Sequence, residues 1–123
     1  MFDSHCHLTD GRFDEDRAAV LDASFQAGVT RIVTVASNLE DARAAAKLAR
    51  SHAELAGSHA ALWSTAGIHP HEVSETEDAD LAAVRELAAT DPRVVAIGET
   101  GLDYFYDHSP RELQRRWFEA QLE

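Results

Sequence analysis

Two histidines one residue apart, His5 and His7, close a short extended run, Met1 to Leu8, at the start of the sequence. Side chains alternate along a strand, so His5 and His7 share one face while Ser4 and Cys6 share the other. Two neutral imidazoles aimed at one place can hold a divalent cation. The bland alternative is a polar strand end that happens to carry two histidines. A second pair stands in Gly67-Ile68-His69-Pro70-His71, and a carboxylate in Gly98-Glu99-Thr100-Gly101-Leu102-Asp103-Tyr104. An ionised carboxylate directly after an apolar strand is costly unless a cation or hydrogen bonds compensate it. A metal is the more economical partner for Glu99; backbone N–H groups are the other.

The elements that must position these residues are legible as four strand–helix units. After β-type Met1–Leu8 and a polar turn from Thr9 to Phe13, Asp14 offers a cap for a helix carrying Arg17, Val20, Leu21, Ser24 and Phe25 on one side and ending at Gly28. Thr30 to Ala36 is β-branched and nearly continuously apolar, as strands covered on both faces tend to be. Ser37 and Asn38 offer caps for a helix running to about His52, with Leu39, Ala42, Ala46, Ala49 and Ala53 along one side. A small-residue connection, Ala56 to Ala60, passes through Gly57. Leu62 to Ile68 reads as the third strand, stopped at Pro70.

Acidic residues from Glu72 to Asp80 lead into a third helix with Leu81, Val84, Leu87 and Ala88 on its apolar side, ended by Thr90-Asp91-Pro92. Arg93 to Gly98 is the fourth strand. Ser109-Pro110-Arg111-Glu112 reads as a capping box with proline at the first helical position, opening a helix that carries Leu113, Trp117, Phe118 and Leu122. Strand–helix alternation with short connections requires a parallel sheet, because each helix returns the chain so that the next strand can run the same way. The expected fold is α/β, TIM-barrel-like, a single unit over residues 1–123.

Parallel α/β folds meet their ligands at the C-terminal ends of the strands. Here those ends carry His5 and His7, then Ser37 and Asn38, then His69 and His71, then Glu99 with Asp103 just beyond. The opposite ends offer only Gly28-Val29, Ala61 and Asp91-Pro92. That asymmetry favours the metal reading over coincidence, with His5, His7 and Glu99 as ligands. His69 is expected at the mouth, contacting substrate. His71 stands between a turn role and a site role. Glu72 is expected in solvent, and Asp103 in a turn or, with Tyr104, lining the site. His52, His59 and His108 are expected to face solvent, and Cys6 to serve packing rather than nucleophilic chemistry.

Bulk properties bound the rest. With 123 residues the chain is one domain in size, about half of what an eight-unit barrel takes. No apolar run is long enough to cross a bilayer, so no membrane partner is expected, and no secretory signal is expected either. One cysteine forms no internal disulfide, which fits a cytoplasmic setting. A net charge of −11 argues against non-specific nucleic-acid binding through a basic surface, but not against a nucleic acid held at a metal centre.

Taken together, Asp3-Ser4-His5-Cys6-His7-Leu8, Gly67-Ile68-His69-Pro70-His71, Gly98-Glu99-Thr100-Gly101-Leu102-Asp103-Tyr104 and Ser109-Pro110-Arg111-Glu112 with Gln114, Phe118 and Gln121 resemble the TatD-type metal-dependent hydrolases, a deoxyribonuclease family among the amidohydrolase-like barrels. The resemblance runs from end to end of the chain, in order and spacing. It implies a two-metal centre using magnesium, manganese or zinc, with His5 and His7 on one ion, Glu99 bridging both, and His69 near the substrate phosphate. It implies 3′-end trimming of DNA by a metal-activated water. Such proteins draw two more histidines and an aspartate from later strands, and the fourth helical pattern runs to Glu123 without a stop signal, so the chain is read as the N-terminal half of such a barrel. Two other readings stand beside it: a metal-dependent hydrolase of C–N or ester bonds, and a non-catalytic piece that self-associates through open sheet edges.

Overall fold

The computed structural model describes residues 1–55 and 61–123. The expected connection from Ala56 to Ala60, and His59 within it, lie outside the described residues. Four strands, β1 (Phe2–Cys6), β2 (Arg31–Thr34), β3 (Ala61–Ala66) and β4 (Val94–Ile97), alternate with four helices, α1 (Arg17–Gln26), α2 (Leu39–Leu55), α3 (Asp78–Thr90) and α4 (Arg111–Leu122). The strands pair in sequence order, β1-β2-β3-β4, and every pairing is parallel. This is the α/β arrangement that the alternation demanded. No helix among the described residues is long and apolar enough to cross a membrane.

The helices bury their apolar stripes on the sheet in two clusters. Leu8, Leu21, Ile32, Ala49 and Leu62 join α1 and α2 to β2 and β3. Ala42, Ala46, Ile68, Val73, Val84, Val94 and Trp117 join α2, α3 and α4 to the other half. Of the stripe expected on α2, Ala42, Ala46 and Ala49 are fully buried and Leu39 and Ala53 half-buried, and Ala45 is fully buried beside them. The small alanine side chains let the helix lie close to β3, and each larger neighbour such as Leu62 or Ile68 contributes about 1.5–3 kcal/mol by burial. A second apolar surface stays open: Phe2, Val95 and Ile97 are 58, 53 and 41% exposed.

Helix starts are where sequence and structure part. Asn38 does cap α2, its Oδ1 accepting from Asp41 N–H at 3.0 Å while Asp41 Oδ2 accepts from Ser37 N–H at 2.9 Å. Asp14 does not cap α1. It ends a short 3-10 turn, Gly11–Phe13, and its carboxylate instead takes the Arg17 guanidinium at 2.6 Å. Leu21 is the one buried residue of α1, with Val20, Ser24 and Phe25 half-buried. Ser109 does not cap α4 either; α4 begins at Arg111 after Pro110, and Glu112 pairs with Arg115. The reciprocal bond of a capping box forms at α3 instead, where Glu77 N–H donates to Asp80 Oδ2 at 2.9 Å. Asp91, buried at the end of α3, accepts from Arg93 N–H at 2.9 Å and pairs with Arg50 of α2, so it stops the helix and aims β4 together.

Candidate metal centre

Two threonines set the strand ends in register. Thr34 Oγ1 accepts from Leu8 N–H at 3.0 Å, fixing the exit of β1 against β2. Thr65 Oγ1 accepts from Ala36 N–H at 3.1 Å and donates to Gly98 O at 2.5 Å, tying β2, β3 and β4 together. Both residues are buried, and β-branched side chains suit the pleated surface while the hydroxyls find partners. Gly67 then lies flat against the chain after β4: a Cβ there would fall 2.5–2.7 Å from the backbone of Gly98. Glu99 N–H donates to Ala36 O at 2.7 Å, so the carboxylate is carried by a backbone held on two sides.

This framework brings His5, His7 and Glu99 together, as their strand-end positions predicted. The two Nε2 atoms lie 3.3 Å apart, and they stand 3.6 and 3.7 Å from Glu99 Oε2. Three donors around one ion at bonds of about 2.1 Å are separated by roughly 3.0–3.6 Å. The triangle therefore fits a divalent ion, and nitrogen with oxygen donors suits zinc or manganese. His7 is also oriented from behind: its Nδ1 donates to Val35 O at 3.0 Å, leaving the Nε2 lone pair for the shared point. A polar groove of about 480 Å³ lined by His7, Thr9, Asp10, Ser37, Asn38 and Asp41 opens beside it.

His69 faces the same carboxylate, its Nε2 3.7 Å from Glu99 Oε1. His71 N–H donates to His69 Nδ1 at 3.1 Å, which places the ring proton on Nε2. Burial lowers the His69 pKa from its usual value, and the nearby Glu99 charge only partly restores it. The ring is thus a neutral N–H donor at the mouth. His71 in turn binds Asp103, Nε2 to Oδ2 at 2.6 Å, and Ser109 Oγ donates to its carbonyl at 3.0 Å. Ser109 misses its expected cap for this reason. Asp103 makes the expected turn, Oδ1 accepting from Phe105 and Tyr106 N–H, while Oδ2 holds His71. Desolvation pushes its pKa up, but these donors outweigh it and keep the carboxyl below the usual range.

Two polar residues, Glu72 and His52, depart from expectation. Glu72 is half-buried rather than solvated, accepting from Asn38 Nδ2 at 3.3 Å. His52 is not solvent-facing: its ring stacks on Phe25 at 4.9 Å, 20° from parallel, because α1 and α2 pack together there, and burial lowers its pKa. His108 is exposed, as expected. Cys6 packs away from the histidines, its Sγ reaching Val33 O at 3.6 Å, and burial raises its thiol pKa from 9.0 to about 11, which suits an inert packing residue.

Two glutamines escaped a functional reading from the pattern alone. Gln114, fully buried, accepts from Asp103 N–H at 2.7 Å and donates to Asp103 O and Ser109 O. Gln121 clasps the end of β3, accepting from Ile68 N–H at 2.8 Å and donating to Ile68 O at 3.1 Å. Through them α4 holds the two loops that carry His69, His71 and Asp103.

Histidines and a carboxylate gathered at the strand ends of a parallel α/β sheet define a candidate metal site on a barrel-type α/β unit. Comparison with known proteins narrows the class. The family model for TatD related DNase matches residues 2–123, and the chain belongs to that family. It is 43% identical over 122 residues to the 3′-5′ ssDNA/RNA exonuclease TatD of Escherichia coli K12, covering 99% of this chain and 44% of that protein. The exonuclease of the same name from Pectobacterium carotovorum is 39% identical over 122 residues. Among solved structures, the TatD homologue YJJV of Escherichia coli K12 matches with a TM-score of 0.85 and 31% identity, over 99% of this chain and 45% of its own. A TatD family hydrolase from Entamoeba histolytica matches at 0.87 and 26%, over 98% and 44%. The chain therefore spans a little under half the length of the relatives it matches.

Proposed function

We propose that this chain forms part of a divalent-metal-dependent nuclease of the TatD type, which removes nucleotides from the 3′ end of single-stranded DNA or RNA. The observation that carries the reading is the triangle of His5, His7 and Glu99. Its support is the exonuclease name borne by its relatives. His5 and His7 would hold the ion through their Nε2 atoms and Glu99 through Oε2, while Glu99 Oε1 faces His69 Nε2 at 3.7 Å. A bound divalent ion supplies Lewis acidity and an activated water for attack on phosphorus. His69 donates its Nε2–H to a non-bridging phosphate oxygen and orients the scissile group over the triangle. The Asp103–His71 pair fixes the segment that carries His69. Any second ion would need ligands from the further length over which the relatives extend. A cytoplasmic setting suits the single cysteine.

Metal titration followed by digestion of 5′-labelled single-stranded DNA tests this. Metal-dependent shortening from the 3′ end, abolished by a chelator and by His5→Ala, is the expected result. Cleavage that proceeds unchanged in His5→Ala removes the site assignment.

The open apolar surface at Phe2, Val95 and Ile97, together with the free edges of β1 and β4, favours a second reading for the 123-residue chain alone: self-association through those edges. Sedimentation should then show a dimer fraction that rises with protein concentration. A monomer throughout would exclude it.

A further inference from the structure

The loop between β4 and α4 ends in rings that the core does not use. Phe105 is 85% exposed and Tyr106 65%, although burying either would contribute a few kcal/mol. They are not scattered surface residues. Phe105 meets Tyr106 edge-on at 4.8 Å, and Tyr106 lies nearly parallel to His108 at 5.7 Å. His108 meets His71 at 4.5 Å, and His71 meets His69 at 4.4 Å. A continuous run of rings thus leads from the mouth of the metal triangle out to two solvent-facing aromatic surfaces.

The loop is built to hold that display. Asp103 accepts from Phe105 and Tyr106 N–H, Gln114 anchors Asp103, and Asp107 takes a left-handed φ of 53° that turns the chain toward His108. Tyr104, less exposed at 39%, is flanked by the Arg111 and Arg115 guanidiniums at 4.8 and 5.9 Å, and both arginines are paired with carboxylates, Asp107 and Glu112. The neighbouring cations are thus committed, and the chain carries a net charge of −11. A polyanion gains little here from basic side chains, so contact with its bases must supply affinity.

We propose that Phe105 and Tyr106, backed by His108, form a stacking platform for the bases of a single-stranded nucleic acid whose scissile phosphate lies at His69. The inference rests on the nuclease reading and names the part of the substrate that this loop recognises. Stacking needs only the π-face of a base, so the platform tolerates sequence and requires unpaired strands.

The test is fluorescence anisotropy in calcium, with 5′-fluorescein hexathymidylate and an abasic hexamer of the same backbone, on the protein and its Phe105→Ala and Tyr106→Ala variants. Each substitution is expected to weaken hexathymidylate binding by about 5- to 100-fold and to leave the weaker binding of the abasic hexamer unchanged. Equal losses on both probes, no loss on hexathymidylate, or a lowered thermal midpoint in the variants would overturn the platform while leaving the nuclease reading in place. If the unmodified protein binds and cleaves neither probe, the nuclease reading itself fails and the platform with it.

Discussion

Replacing Glu99 by glutamine should reduce zinc or manganese affinity by more than about 100-fold, beyond what removing an outer partner of a metal ligand costs. Glutamine keeps the size of the side chain and removes its charge. Only two neutral imidazoles would then face the ion, and a carboxamide oxygen is a far weaker donor than a carboxylate. Stability without metal should move by less than about 1 kcal/mol, because Glu99 is a third exposed and meets the histidines only at 3.6–3.7 Å. Calorimetric titration of the Glu99→Gln chain beside the unmodified one reads the first quantity, and urea denaturation the second. Equal affinities would show that the triangle is not where metal binds.

Gly67→Ala should do the opposite: damage the fold first and the site as a result. The added methyl would meet Gly98 backbone atoms at 2.5–2.7 Å, well inside contact distance, and a backbone cannot swing aside as a side chain can. The end of β3 and the chain after β4 must separate, stretching the Thr65–Gly98 bond and shifting Glu99 from the histidines. A loss of about 3 kcal/mol is expected, seen as a lower urea midpoint at unchanged slope. Metal affinity should fall by about 10-fold or more in the fraction that stays folded. Unaltered stability would mean that the two strand ends are not in contact.

Much of this was legible in the sequence, and what was not has a common cause. The parallel order followed from strand–helix alternation, and the gathering of His5, His7 and Glu99 from the rule that such sheets present ligands at one end. Those are global constraints, and they do not depend on any single hydrogen bond. The caps depend on one each. Ser109 has the right neighbours for a capping box, but the carbonyl of His71, distant in sequence, is a nearer partner for its hydroxyl. Asp14 lost its expected role to an arginine one turn on. Gln114 looks like any helical surface residue until the folded loop around Asp103 closes over it. His52 was misplaced because stacking on Phe25 depends on how α1 and α2 pack, which spacing along one helix does not reveal.

The metal triangle joins the two outermost strands of the sheet, since His5 and His7 leave β1 and Glu99 follows β4, with β2 and β3 between. An ion there would act as a clasp between the two outer strands, closing a loop of roughly ninety residues in the manner of a long-range cross-link. Ion binding and folding are then linked: at about 100 times its dissociation constant, the free ion would add about 2.7 kcal/mol to folding. Free divalent metal would then raise the chain's resistance to unfolding, beyond any part it has in chemistry.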